Sequence, residues 1–205
     1  GAADVLARLA AVPGVVVAMV SGRALADLRT TSGFAGALRW IGSHGAEFDG
    51  PLEGDLAAQR DALRDRLLPL VAGTPGARLE VKPASVAVHV RQVADRGAAA
   101  ALIARARSTA DPSLTLKPGK DVLELAVTDA DKGSALHRLR TETGAAAAVY
   151  LGDDRTDEDG FRALEPDDVT VKVGDGETAA RHRVEDPPAA LALLERLAGV
   201  LAADG

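Results

Sequence analysis

Cysteine is absent from the 205 residues of this chain, so there is no disulfide framework and no thiolate metal site, and the carboxylates are left as the metal ligands to weigh. The same absence fits a reducing cytoplasm, which is the expected location. Aromatic residues make up only 2%, so packing must rely on Ala, Val and Leu, and an aromatic stacking platform is not expected. There is no basic run to follow a phosphate backbone; with 30 acidic against 24 basic residues the net charge is -6, and nucleic acid is not an expected partner. No apolar segment approaches the length of a bilayer span, and no basic segment followed by an apolar one opens the chain, which argues against a membrane or secreted protein. What remains, 47% hydrophobic and 26% charged, is the composition of a soluble globular protein.

The apolar residues fall into alternating helix and strand patterns. An amphipathic helix over residues 4–12 closes at Pro13-Gly14, the apolar run 15–20 reads as a buried strand, and a second helix follows Ser21-Gly22-Arg23. A short strand over 38–41 leads into Gly42-Ser43-His44-Gly45-Ala46-Glu47. After Asp49-Gly50-Pro51 the pattern changes to a long helix at 55–72, strands at 78–82 and 85–91, a helix at 94–109 and strands at 114–117 and 121–127. Two helix-plus-hairpin units of this kind make a small α+β insert with an antiparallel sheet. Alternation then resumes: helix 131–143, strand 145–151, helix 157–164, strands 169–173 and 181–184, and a terminal helix at 187–202. The expected organisation is an α/β core with a parallel sheet, built from 1–49 and 128–205, interrupted by an inserted domain at 50–127.

Four carboxylates lie in Gly152-Asp153-Asp154-Arg155-Thr156-Asp157-Glu158, directly behind an apolar strand. The carboxyl ends of parallel strands are where open α/β sheets bind ligands, and like charges converging there call for a cation such as Mg2+, which takes oxygen ligands. Asp157 and Glu158 also suit a helix N-terminus; Asp153 and Asp154 precede the helix, where capping does not require two adjacent acids. Ser21 follows a strand and precedes a helix, so its hydroxyl and nearby N–H groups suit an anion, although an ordinary N-cap serine has the same signature. Lys132 opens a helix against its dipole, which calls for a local reason such as a phosphate or a carboxylate cluster. In the insert, Lys82, His89 and Arg91 lie along one hairpin and Lys117, Lys120 and Glu124 along the other, with His89 and Arg91 expected on one strand face.

Taken in order, Ser21-Gly22-Arg23, the Gly42 to Glu47 segment, Lys117-Pro118-Gly119-Lys120 with Glu124, Lys132-Gly133 and the Gly152 to Glu158 loop resemble the trehalose-6-phosphate phosphatases of the haloacid dehalogenase superfamily, over nearly the whole chain. The resemblance implies a Rossmann-like core with a mobile inserted α+β cap, and Mg2+-dependent hydrolysis of trehalose 6-phosphate to trehalose and phosphate. Carried over to these positions, Ser21 hydrogen-bonds the phosphoryl group, Lys132 neutralises it, and Asp153 ligates Mg2+. Asp154 is a further candidate metal ligand and Asp157 supports the metal site. Arg23, His44, Glu47, Arg91, Lys117, Lys120 and Glu124 fall at substrate contacts.

One element of the family pattern does not occur in this sequence. The family's nucleophile is an aspartate in an Asp-x-Asp-Gly-Thr segment at the end of a core strand, whereas here Asp129-Ala130-Asp131 and Asp157-Glu158-Asp159 both lack that context. An aspartyl-phosphate route needs a carboxylate nucleophile as well as a cation. The sequence therefore predicts a core without its first strand, apolar surface exposed on 15–20 and 145–151, weak or no Mg2+ occupancy, and little turnover by these residues alone. A non-catalytic sugar-phosphate binding or regulatory domain, or a phosphatase of another sugar phosphate, is the alternative.

Overall fold

The computed structural model describes residues 1–34 and 36–203, which form two compact units, Gly1–Gly50 with Ala130–Gly205 and Pro51–Asp129. In chain order the first unit begins with α1 (Ala2–Ala10), β1 (Ala18–Val20), α2 (Leu25–Ser32), β2 (Arg39–Gly42), a 3-10 turn at Ser43–Gly45 and β3 (Glu47–Phe48). The inserted unit follows, with α3 (Gly54–Ala72), β4 (Arg78–Lys82), β5 (Ser85–His89), α4 (Arg96–Ser108), β6 (Thr115–Gly119) and β7 (Val122–Ala126). The first unit is completed by α5 (Lys132–Thr143), β8 (Val149–Gly152), α6 (Asp157–Ala163), β9 (Val169–Val173), β10 (His182–Val184) and α7 (Pro187–Ala203).

The inserted unit has the simpler physics. Its four strands form one antiparallel sheet in the order β4-β5-β7-β6. Alternation sends Val86, Val88, Leu123 and Leu125 to one face, where all four are fully buried against Leu63 and Leu67 of α3 and Leu102 of α4. Asp95 starts α4 by accepting from the N–H groups of Gly97 (2.7 Å) and Ala98 (3.1 Å).

The other unit carries two three-stranded sheets, β1-β2-β3 and β10-β9-β8. The β1-β2, β8-β9 and β9-β10 pairs are parallel, as the alternation predicts, and β3 returns antiparallel to β2. Among the described residues β1 and β8 each have a ladder on one side only. No residue of 15–20 is buried, and Val16 is 50% exposed. Of 145–151 only Tyr150 is buried. Elsewhere, Val5 and Leu9 of α1 pack on Ala198 of α7, and Tyr150 packs with Leu136, Phe161 and Leu164.

Two strands are shorter than the apolar runs suggested. The run 15–20 pairs only from Ala18, and 145–151 only from Val149. Ahead of Val149 one backbone bond remains, from Val169 N to Ala148 O (2.9 Å), and the rest of the recorded bonds to this stretch come from charged side chains. Arg140 donates to Ala145 O and Ala146 O (both 3.1 Å), while Asp168 accepts from Ala148 N (2.8 Å). Arg140 and Asp168 are themselves joined by a bidentate pair of 2.7 and 2.9 Å, with Asp168 1% exposed.

The Arg140 guanidinium, together with two backbone N–H donors and against the opposing effect of burial, holds the Asp168 carboxyl below its usual range. A carboxyl depressed in the folded state contributes stability above its unfolded pKa and loses it as pH falls through the folded value. Arg140→Met should therefore cost about 2 kcal/mol at neutral pH, and that difference should shrink once pH drops below about 4. Urea unfolding of both proteins across this range is the check.

Candidate active site

The loop closing β8 is organised by one residue. Asp157 opens α6 and is 3% exposed, and its carboxylate accepts four hydrogen bonds. Oδ1 takes Lys132 Nζ (2.7 Å) and the Tyr150 hydroxyl (2.5 Å), and Oδ2 takes the N–H groups of Asp153 (3.0 Å) and Asp154 (2.9 Å). Gly152 makes room for this, since a Cβ there would lie 2.2 Å from Asp157 Cγ. Burial, the hydrogen bond to Asp157 and the neighbouring negative charges push the Tyr150 phenol up, so it stays a proton donor at any ordinary pH.

Asp154 is committed in a different way. Its Oδ1 accepts from Thr156 N (2.6 Å), the Thr156 hydroxyl (2.6 Å) and Asp157 N (3.2 Å), and its Oδ2 lies 3.6 Å from Lys132 Nζ. Burial pushes this carboxyl up, but the Thr156 hydroxyl and the Lys132 ammonium outweigh it, and Asp154 sits below its ordinary range. Asp153 is the contrasting member. Its side chain is exposed, and its recorded hydrogen bonds all involve its backbone.

The other predicted residues of this unit connect to that loop through contacts. Ser21 Oγ accepts from Arg23 N (3.1 Å), and Ser21 O accepts from His44 N (2.9 Å). The His44 ring lies against Gly22, where a Cβ would come within 2.4 Å of Cε1. The Ser43–Gly45 turn packs on α5, whose first residue is Lys132, 4% exposed. Within that turn a Cβ on Gly45 would lie 2.9 Å from Asp131 O and 3.0 Å from Ala135 Cβ, so the turn sits directly on the start of α5.

Glu47, placed at a sugar by the sequence, is 5% exposed, and its Oε2 accepts from Leu25 N (2.8 Å) at the start of α2 and from Ser43 Oγ (2.7 Å). It braces the turn that carries His44, a task the sequence reading did not anticipate. Arg23 lies at the surface in an ion pair with Asp27 (2.9 Å).

In the inserted unit, cross-strand register puts Glu80, Ala87, Glu124 and Lys117 in one row. Glu124 holds Lys82 Nζ and Ser85 Oγ, each at 2.7 Å. Burial pushes the Glu124 carboxyl up, and those two partners pull it further down, so it is ionised at neutral pH. Lys117 and Lys120 are exposed, Lys120 in the turn between β6 and β7. Arg91 departs from expectation. Strand β5 ends at His89 and the chain turns, with Val93 N donating to Val90 O (3.1 Å), so Arg91 does not share a strand face with His89. His89 Nε2 is 2.7 Å from Glu80 Oε2.

The sequence reading missed Tyr150 as a partner of Asp157, Ser85 as a partner of Glu124, and Lys172. The last had a signal, for a lysine within Val169-Thr170-Val171-Lys172-Val173 is a charge in a strand that otherwise reads as buried.

The residue pattern described as trehalose-phosphatase matches residues 1–188. The chain belongs to the trehalose-phosphatase family. Among similar members is a trehalose-phosphate phosphatase of Mycolicibacterium paratuberculosis, 38% identical over 98% of this chain and 56% of the relative. A probable trehalose-phosphate phosphatase C of Arabidopsis thaliana is 32% identical over 88% of this chain and 64% of its own length. The solved structure of Aspergillus fumigatus trehalose-6-phosphate phosphatase superposes with a TM-score of 0.72 at 25% identity, covering 96% of this chain and 82% of that one. The chain therefore spans a little over half the length of the first of these trehalose-phosphatase relatives.

A divalent cation can be tested against the donor set. Among the described residues no group of three or more His, Asp or Glu side chains is arranged to hold a metal. Asp157 has all its hydrogen-bonding capacity in use, so it supports the loop and is not itself a ligand. Mg2+ is commonly held by one or two carboxylates with water completing its shell. One open carboxylate, Asp153, fits that mode as part of a site. No helix among the described residues is long and apolar enough to cross a membrane.

Proposed function

We propose that this chain provides the phosphate-binding core and the sugar-recognising insert of a Mg2+-dependent phosphatase acting on trehalose 6-phosphate. The observation that carries the reading is the loop after β8, where a buried Lys132–Asp157 pair fixes the backbone and leaves the Asp153 carboxylate open. Mg2+ held by Asp153 would offset phosphoryl charge and polarise a phosphoryl oxygen. Lys132 is anchored through one N–H to Asp157 and keeps donors for a phosphoryl oxygen. The Ser21 hydroxyl accepts from Arg23 N and retains its own proton to donate to the same group.

The Asp-x-Asp-Gly-Thr nucleophile segment does not occur in these residues. The one-sided ladders of β1 and β8 support a further parallel strand between them, which would join the two sheets into one Rossmann-like sheet and bring a nucleophile to the strand ends. On the inserted unit, Lys117 and Glu124 on the sheet and Lys120 in the adjoining turn offer charged partners to sugar hydroxyls, with Lys82 and Ser85 fixing Glu124.

The test is phosphate release by the full-length protein from a panel of sugar phosphates in Mg2+. Trehalose 6-phosphate should be turned over with the highest kcat/KM, and no turnover on any member would end the enzymatic reading. In the same assay Glu124→Gln should raise KM for trehalose 6-phosphate about 10- to 100-fold with kcat nearly unchanged, as the loss of a charged hydrogen-bonding partner in ground and transition state alike requires.

A further inference from the structure

Lys172 is one of two buried lysines among the described residues, 6% exposed beside Lys132 at 4%. It sits on β9 in register with Gly152, the last residue of β8, and its ammonium donates to the backbone carbonyl of Asp153. The N–H of the same residue donates to Asp157 Oδ2 at 3.0 Å. Both backbone polar groups of Asp153 are thus taken by buried charges of opposite sign, one from β9 and one from α6. Only the carboxylate is left open.

We infer that Lys172 is a positioning residue for Asp153. By holding the carbonyl it fixes the peptide that follows β8 and so presents the carboxylate in one orientation. The inference rests on the reading of Asp153 as a cation ligand. Partners that orient a ligand without touching the metal are typically worth about 10- to 100-fold in metal affinity. The opposing effect is electrostatic, since an ammonium close to the site repels a cation, and its removal alone would tighten binding. The two effects have opposite signs, so one measurement separates them.

The experiment is a Mn2+ titration of the full-length protein, following loss of the free-ion electron paramagnetic resonance signal, with Mn2+ standing in for Mg2+ as another oxygen-preferring cation. The proteins are wild type, Asp153→Asn, Lys172→Met and Lys172→Arg, with thermal unfolding in parallel. Lys172→Met should bind Mn2+ about tenfold more weakly than wild type, and Lys172→Arg, which keeps donor and charge, should bind as wild type does. If the Met variant does not fold, Lys172→Gln, which is polar, uncharged and one bond shorter, carries the same prediction. Tighter or unchanged binding by the uncharged variant overturns the inference, including the case in which only the unfolding temperature falls. A wild type that binds no Mn2+, or an Asp153→Asn variant that binds it equally well, overturns the cation reading itself and the inference with it.

Discussion

Replacing Lys132 by Met should cost about 3–5 kcal/mol of folding stability. The two side chains of the Lys132–Asp157 pair are each 5% exposed and 2.7 Å apart. Removing the ammonium strands a carboxylate in a place water does not reach, and that desolvation is the source of the cost. Asp157 keeps its three other donors, Tyr150 and the N–H groups of Asp153 and Asp154, so the loss should be incomplete. A double-mutant cycle gives the sharper form. Asp157→Asn removes the charge while keeping an acceptor for Tyr150, and in the Lys132→Met background it should recover part of the lost stability, because no charge is then left unpaired. Additive losses in denaturant unfolding would show that the pair is not the energetic centre of the loop.

Asp153→Asn should do the reverse. Its side chain is exposed and enters none of the recorded hydrogen bonds, so the unfolding midpoint should hardly move. If the carboxylate carries the cation, phosphate release by the full-length protein should fall about a thousandfold, corresponding to about 4 kcal/mol of lost transition-state charge stabilisation. The two variants split stability from chemistry around one loop, in which the Lys132–Asp157 pair builds the frame and Asp153 uses it. An Asp153→Asn protein that is unstable, or that retains full turnover, contradicts this division.

Much of this was legible in the sequence, for identifiable reasons. The inserted sheet was readable because period-two alternation in residues such as Val86, Val88, Leu123 and Leu125 separates core from solvent without any help from the rest of the chain. The parallel strands were less legible. Apolar runs show that 15–20 and 145–151 tend to be extended, yet pairing depends on partners elsewhere, and residues 145–148 are held by Arg140 and Asp168, one of them 20 positions or more away in sequence. The short β3 went unseen because two residues carry no period.

At the site, the residues in the acidic loop and Lys132 were found from position relative to strands and helices. Their division of labour, Asp153 as ligand and Asp157 as support, came only from the family resemblance, since the physical basis for it is which oxygens are already taken. Glu47 is the same lesson, a carboxylate in a recognisable motif whose Oε2 turns inward to Leu25 and Ser43.

The most direct test of the account is phosphate release from trehalose 6-phosphate by the full-length protein, measured in Mg2+ and again in excess EDTA, for wild type and Asp153→Asn. The account predicts turnover by wild type in Mg2+, none in EDTA, and close to none for Asp153→Asn in either. Turnover that persists in EDTA, or that survives the loss of the Asp153 carboxylate, would contradict it.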